Sequence, residues 1–267
     1  DSVRKQMPCT LLPVLPSGLL DLAAVEAALA PPSGQKILSV EWVNNETGII
    51  QPVAALLALC RKYGALLHLD AVQALGRIAL DVQPDYLTLS AHKIGGPQGS
   101  GALVVGRTAP LIAQLVGGGQ ERGRRAGTEN VAAIAGFGAA VELAISELPA
   151  YQARVSWRDH AEAILMRHPA ARIVGAEAPR VANTICVVCP GLRADLLLMH
   201  MDLAGYAVSS GAACSSGKVT PSHVLSALGI PLPEVESALR LSFGWKNSES
   251  EILAAAQHWT EIAKSAI

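Results

Sequence analysis

Short apolar runs alternate with helix-like segments along the first 150 residues, which restricts the chain to an α/β fold with a mainly parallel sheet. KILSVEWV (36–43) reads as a strand, and VAALLALCRKYG (53–64) as a helix closed by a glycine. ALLHLDAV (65–72), DYLTLS (85–90) and GALVVG (101–106) continue as strands, and an alanine-rich helix spans Glu129 to Leu148, ending before Pro149. The texture then changes. Residues 151–168 have an amphipathic helical pattern, VANTICVVC (181–189) reads as a strand, and LRADLLLMHMDLAG (192–205) reads as a helix. YAVSSGAACSS follows as strand and loop, and SESEILAAAQHWTEIAKSA is a helix opened by a serine cap and an acidic first turn. This pattern predicts a large domain over 1–150 and a smaller C-terminal α/β domain over 151–267.

Composition narrows the function classes. The formal net charge is −1, which leaves no electrostatic footprint for nucleic acid or an anionic membrane. No apolar run approaches the length of a membrane span, and DSVRKQMPC lacks the apolar core of a signal peptide. Five cysteines, an odd number, argue against a disulfide framework and for a reducing, cytoplasmic setting. Only 16% of residues are charged, which hints at surface buried between subunits.

Five features bear on chemistry. Asp70 closes LLHLD, where open α/β sheets bind ligands; a turn or helix-capping aspartate is the plain alternative. Lys93 in SAHKIGGPQGSG follows an apolar strand, so it is either a surface loop residue or one used chemically as a Schiff-base amine. Ser90 and His92 stand beside it, placed to hold a phosphate together with backbone N–H groups. Asp70 and Lys93 close strands joined by one turn-and-helix connection, which puts both at one cleft. A carboxylate and an amine so placed suit pyridoxal phosphate. Cys214 in SSGAACSS sits among small residues, as a mobile thiol or an inert one. Arg240 in ALRLSFG requires an anion, either a substrate carboxylate or a protein one. ERGRRAGTEN (121–130) is a solvated loop or an anion site before a helix. Cys186 and Cys189 form a C-x-x-C, yet positions i and i+3 of a strand face opposite sides and no second pair exists. They are expected to be packing residues, as are Cys9 and Cys60, and no metal site is expected. IGGPQGSG lacks the lysine and serine or threonine that close a P-loop.

VNNETG, LHLDAVQALG, LSAHKIGGPQGSGAL, GGGQERGRRAGTEN, SSGAACSSG and LRLSFG, in that order along nearly the whole chain, resemble the cysteine desulfurases of the NifS/IscS type. These belong to the class V aminotransferase group of fold-type I pyridoxal-phosphate enzymes. The resemblance implies a three-layer sandwich with a mainly parallel sheet plus the small domain. It also implies pyridoxal 5'-phosphate held as an aldimine at Lys93, which would later move protons between substrate and cofactor. Asp70 would pair with the pyridine nitrogen and Gln73 with the phenolic oxygen. Asn45 would contact cofactor and substrate, Ser90 and His92 would bind the phosphate, and Thr128 would reach the phosphate of the neighbouring subunit. Arg240 would clamp the carboxylate of L-cysteine. Cys214 would attack the substrate sulfur, leaving alanine and an enzyme persulfide for a sulfur-acceptor or scaffold protein that builds iron–sulfur clusters or thio-cofactors.

In the family pattern a glycine/threonine phosphate-binding turn and a ring-stacking histidine lie upstream of Asp1. The sequence is therefore expected to be a fragment or a shortened member, lacking part of the cofactor pocket and dimer surface. A selenocysteine lyase or another class V aminotransferase or lyase is the close alternative. A cofactor-free homologue acting as a subunit or scaffold is the distant one.

Overall fold

The computed structural model describes residues 8–32, 34–210 and 221–265. After helix α1 (Leu22–Leu29), capped by the Asp21 carboxylate, come strand β1 (Ile37–Glu41), helix α2 (Val53–Lys62), β2 (Leu66–Asp70), β3 (Tyr86–Ser90) and β4 (Gly101–Val105). The four strands lie in the order β1-β2-β3-β4, with β1, β2 and β3 parallel and β4 antiparallel to β3. This is the expected α/β architecture with a mostly parallel sheet.

Alternation along β1 and β2 explains the layers. Leu38, Val40, Leu67 and Leu69 are buried against Leu56 and Cys60 of α2, which removes the apolar side of each strand from water. Ser39, Glu41, His68 and Asp70 occupy the opposite face. There Ser39 Oγ lies 2.8 Å from His68 Nδ1, and His68 Nε2 lies 2.8 Å from Thr88 Oγ1. A polar ladder thus crosses three strands and leads to the two carboxylates at their ends. Burial lowers the His68 pKa, with the Asp70 charge opposing.

The β2–β3 connection corrects one expectation. Residues 71–78 form consecutive turns rather than a helix, the first held by Asp70 Oδ1 accepting from Val72 N at 3.0 Å. At the far end of β3, buried Asp85 accepts from Leu67 N at 2.8 Å and from Arg61 Nη1 at 2.9 and 3.1 Å. Asp85→Ala would orphan a buried N–H and an arginine, so it should cost about 2–3 kcal/mol. A urea titration that shows no loss would contradict this role.

Beyond β4, helix α3 (Val131–Ser146) is capped by Asn130 Oδ1 accepting from Ala133 N at 3.2 Å. It buries Ala133, Phe137 and Ala140 and leaves Val131, Ile134, Leu143 and Ile145 exposed. The single amphipathic helix expected over 151–168 is two helices, α4 (Leu148–Ala153) and α5 (Val155–Leu165). They break at Arg154, whose guanidinium donates to Gly244 O at 2.7 Å and Trp245 O at 3.4 Å.

A second, antiparallel sheet contains β5 (Arg172–Ile173), β6 (Thr184–Val188), β7 (Ser209–Ser210) and β8 (Leu239–Ser242), in the order β5-β6-β8-β7. Helix α6 (Ala194–Leu203) lies between β6 and β7, and two short helices, α7 (His223–Ala227) and α8 (Leu232–Val235), precede β8. Helix α9 (Glu249–Ser265) packs with α5 and α6 on one face, where Leu165, Met201 and Trp259 are fully buried. Its start is a capping box, with Ser248 N donating to Glu251 Oε2 at 2.8 Å and Glu251 N to Ser248 Oγ at 3.4 Å. Cys189 lies in that core, whereas Cys186 packs on the opposite face with Val188 and Leu225. The two thiols do face opposite sides, and Cys60 is buried as expected. Cys9 is not a packing residue, because it is exposed in the irregular segment before Val14. Among the described residues no single helix is long and apolar enough to cross a membrane.

Candidate active site

The VNNETG segment joins the two sheets, and its fold follows from one asparagine. Asn44 Oδ1 accepts from Glu46 N, Thr47 N and Thr47 Oγ1, each at 3.0 Å, closing an Asx-type turn. Gly48 completes the turn with φ +74°, where a Cβ would also lie 3.0 Å from Thr184 Cβ. Buried Glu46 accepts from Ser222 Oγ at 2.5 Å, and Val181 N donates to Gly48 O at 2.9 Å, so the loop is tied to the segments that precede α7 and β6.

The loop holds the arginine in place. Arg240 Nη1 donates to Asn45 O at 3.0 Å, while its Nε is buried with no hydrogen-bond partner among the described residues. Nor does Arg240 form an ion pair with a described carboxylate. A half-buried guanidinium whose enclosed Nε has no partner among the described residues suits an anion. The protein-carboxylate alternative finds no support in this geometry.

Asp70 and Ser90 end β2 and β3, which pair in parallel with Asp70 opposite Thr88. Asp70 is half-buried and accepts one backbone bond, from Val72 N, leaving lone pairs unspent. Directly after Ser90, residues Ala91–Ile94 form one 3₁₀ turn that lifts His92 and Lys93 off the sheet. Ser90 Oγ lies 2.8 Å from His92 Nδ1, so the hydroxyl and the imidazole share one site. The Lys93 side chain is exposed and makes no ion pair or hydrogen bond to a described residue. The structure therefore brings together Asp70, Ser90, His92 and Lys93 at one sheet end. Asn45 and Arg240 stand beside them through Glu41.

Glu41 was not singled out by sequence. It lies opposite Asp70 in register, accepts from Asn44 Nδ2 at 3.0 Å and packs beside the Asn45 backbone. It reaches solvent along the open edge of β1, yet protein surrounds the rest of the side chain. Burial pushes its carboxyl up to about 7, the Asp70 charge adds to this, and bonds from Asn44 and Asn45 oppose it. Its polar position in an alternating strand was visible in the sequence, but nothing local linked it to Asp70. A raised acid binds its proton in the fold at pH values where the unfolded chain has already lost it. Stability from this group is therefore lost as pH rises from about 4.5 through about 7. Glu41→Gln should flatten that part of the profile, seen as a smaller change in melting temperature over this pH window than in the wild type. An unchanged profile would refute it.

The other site candidates lie apart or outside the described residues. Gln73 is half-buried in the turn after Asp70, and Thr128 is exposed two residues before the Asn130 cap. Arg122, Arg124 and Arg125 are exposed in the loop before α3, with Arg122 at φ +57°. Cys214 lies outside the described residues.

Comparison with known proteins identifies the family. A family model described as aminotransferase class-V matches residues 3–254. A cysteine desulfurase of Cereibacter sphaeroides is 41% identical over 258 residues, covering 94% of this chain and 66% of that protein. One from Gluconacetobacter diazotrophicus is 43% identical over 240 residues, covering 88% of this chain and 60% of that protein. The X-ray structure of a NifS-like protein from Rickettsia africae superposes with a TM-score of 0.87 at 34% identity, covering 95% of this chain and 69% of that one. The chain thus spans 60–66% of the length of these two desulfurases.

Proposed function

The chain belongs to the class-V aminotransferase family, and on that premise we propose that it is a pyridoxal-phosphate-dependent cysteine desulfurase. It converts L-cysteine to L-alanine and loads the sulfur on Cys214 for delivery to an acceptor or scaffold protein. The observation that supports this reading is that Asp70 ends β2 and Lys93 follows the end of the adjacent parallel β3, while Arg240 is held at the Asn45 carbonyl.

The donor set fits the cofactor. Asp70 offers a carboxylate with spare lone pairs to a protonated ring nitrogen, and Gln73 would serve the phenolic oxygen. Ser90 and His92 offer a hydroxyl and an imidazole to a phosphate, and Thr128 would serve the phosphate of a neighbouring subunit. Lys93 offers an amine with no partner among the described residues to hold the cofactor covalently. When bound, the cofactor supplies an electron sink for the carbons of the substrate.

The chain's own residues do the rest. The unspent Arg240 donors bind the carboxylate of L-cysteine, and Asn45 orients the bound amino acid. Lys93 Nζ takes and returns protons at the substrate carbons. The Cys214 thiolate attacks the substrate sulfur, so a sulfur–sulfur bond forms while the carbon–sulfur bond breaks. The electron pair stays on carbon, which takes up a proton to become the alanine methyl group.

The same reading divides the chain near residue 150, places it in the cytoplasm and pairs it as a homodimer. The exposed apolar side chains of β4 and α3, among them Leu103, Val104, Val131 and Leu143, support a paired surface. The test is incubation with pyridoxal phosphate and L-cysteine, followed by measurement of alanine. Alanine release with sulfur on Cys214 is expected. A protein that binds the cofactor yet releases no alanine would refute the desulfurase reading. A protein that never binds it would favour a cofactor-free subunit.

A further inference from the structure

Lys93 is carried by a single 3₁₀ turn, and a turn that short does not fix a side chain unless something holds it. Two contacts do so from opposite sides. Arg77 Nη2 donates to Lys93 O at 3.2 Å, from the turns that follow β2. On the other side stands Trp245, three residues beyond the end of β8.

The turn ends on Gly95, at φ +83°, and Gly96 N returns to Ala91 O at 2.9 Å. A Cβ at Gly95 would lie 3.4, 3.5 and 3.6 Å from Cη2, Cζ2 and Cζ3 of Trp245. The indole ring therefore faces the turn across a space that one methyl group would fill, with the residue 56% exposed.

The ring does not drift, because its backbone is anchored. Arg154, at the break between α4 and α5, binds Gly244 O and Trp245 O. Its guanidinium also sits 5.1 Å from the centroid of the Trp157 ring and 5.9 Å from that of Tyr151, which holds it in one place. The Lys246 ammonium covers Trp245 from 5.7 Å. Five residues earlier on the same strand exit is Arg240.

We propose that Trp245 is a positioning residue for Lys93, clamping the Ala91–Gly96 turn between the second sheet and Arg77. One strand, β8 with its exit, then sets both the anion-binding guanidinium of Arg240 and the attitude of the amine. This role for Trp245 rests on the function assigned above to Lys93, but the clamp itself is a property of the folded chain.

The test compares wild type, Trp245→Ala and Trp245→Phe by two readouts that need no cofactor. The first is hydrogen exchange across residues 91–96. The second is the rate of acetylation at Lys93 at one fixed pH, resolved by peptide mass spectrometry. Trp245→Ala should speed exchange at Gly96 by about tenfold, a loss of local protection with the global unfolding midpoint nearly unchanged. It should also raise the Lys93 acetylation rate, while Trp245→Phe restores both. Should Trp245→Ala fail to fold, Arg154→Gln, which frees the backbone of Trp245, must produce the same two changes. Wild-type exchange and a wild-type Lys93 acetylation rate in these variants would overturn the clamp. A wild-type protein that stays colourless with pyridoxal phosphate, yet shows the exchange difference, would instead overturn the functional assignment and leave the clamp standing.

Discussion

Replacing Lys93 by alanine should leave a folded protein that stays colourless with pyridoxal phosphate and retains no cofactor after borohydride reduction. The fold should barely notice, because the side chain is exposed and makes no ion pair with a described residue. Such surface changes typically move stability by no more than about 0.5 kcal/mol. The chemistry should fail, because the amine is asked to hold the cofactor and to move protons at the substrate. Loss of a group with both roles lowers turnover by roughly a thousandfold or more. Melting temperature separates the two effects. A colourless variant with a wild-type melting temperature supports the assignment. A variant that colours and turns over like wild type would remove Lys93 from it.

Cys214→Ser should keep the colour and lose the sulfur. The other cysteines argue for Cys214 by their chemistry, since thiolate is the attacking form. Burial pushes the Cys60 thiol up to about 11 and the Cys186 thiol up to about 12, and it also raises Cys189. Those three are protonated and enclosed at neutral pH. Among the described cysteines only Cys9 is exposed, so Cys9→Ser is the control. Mass spectrometry after L-cysteine treatment should find one added sulfur on wild type and Cys9→Ser, and none on Cys214→Ser. Sulfur retained by Cys214→Ser would shift the acceptor role to another thiol.

Periodicity made much of the frame legible. Alternation in KILSVEWV and ALLHLDAV located β1 and β2 and the buried side of each, because a strand with one wet face must alternate. Asp70 and Lys93 were legible because a strand end before a turn is where a parallel sheet presents side chains. The i, i+3 rule likewise put Cys186 and Cys189 on opposite faces, as found. What sequence could not supply was long-range contact. The break at Arg154 depends on carbonyls 90 and 91 residues away. Trp245 faces Gly95 from far along the chain, and no local pattern marks that meeting. Glu41 became notable only when register placed it opposite Asp70. Cys9 misled because an apolar-leaning residue in an irregular segment has no period to reveal its burial.

The central claim is that this chain holds pyridoxal phosphate on Lys93 with Asp70 behind the ring. Borohydride reduction of the protein after loading, followed by peptide mapping, tests it most directly. The account predicts a bleached chromophore and a phosphopyridoxyl group on the peptide containing Lys93, at one per chain. A mapped group on any other lysine, or none at all despite a folded protein, would contradict it.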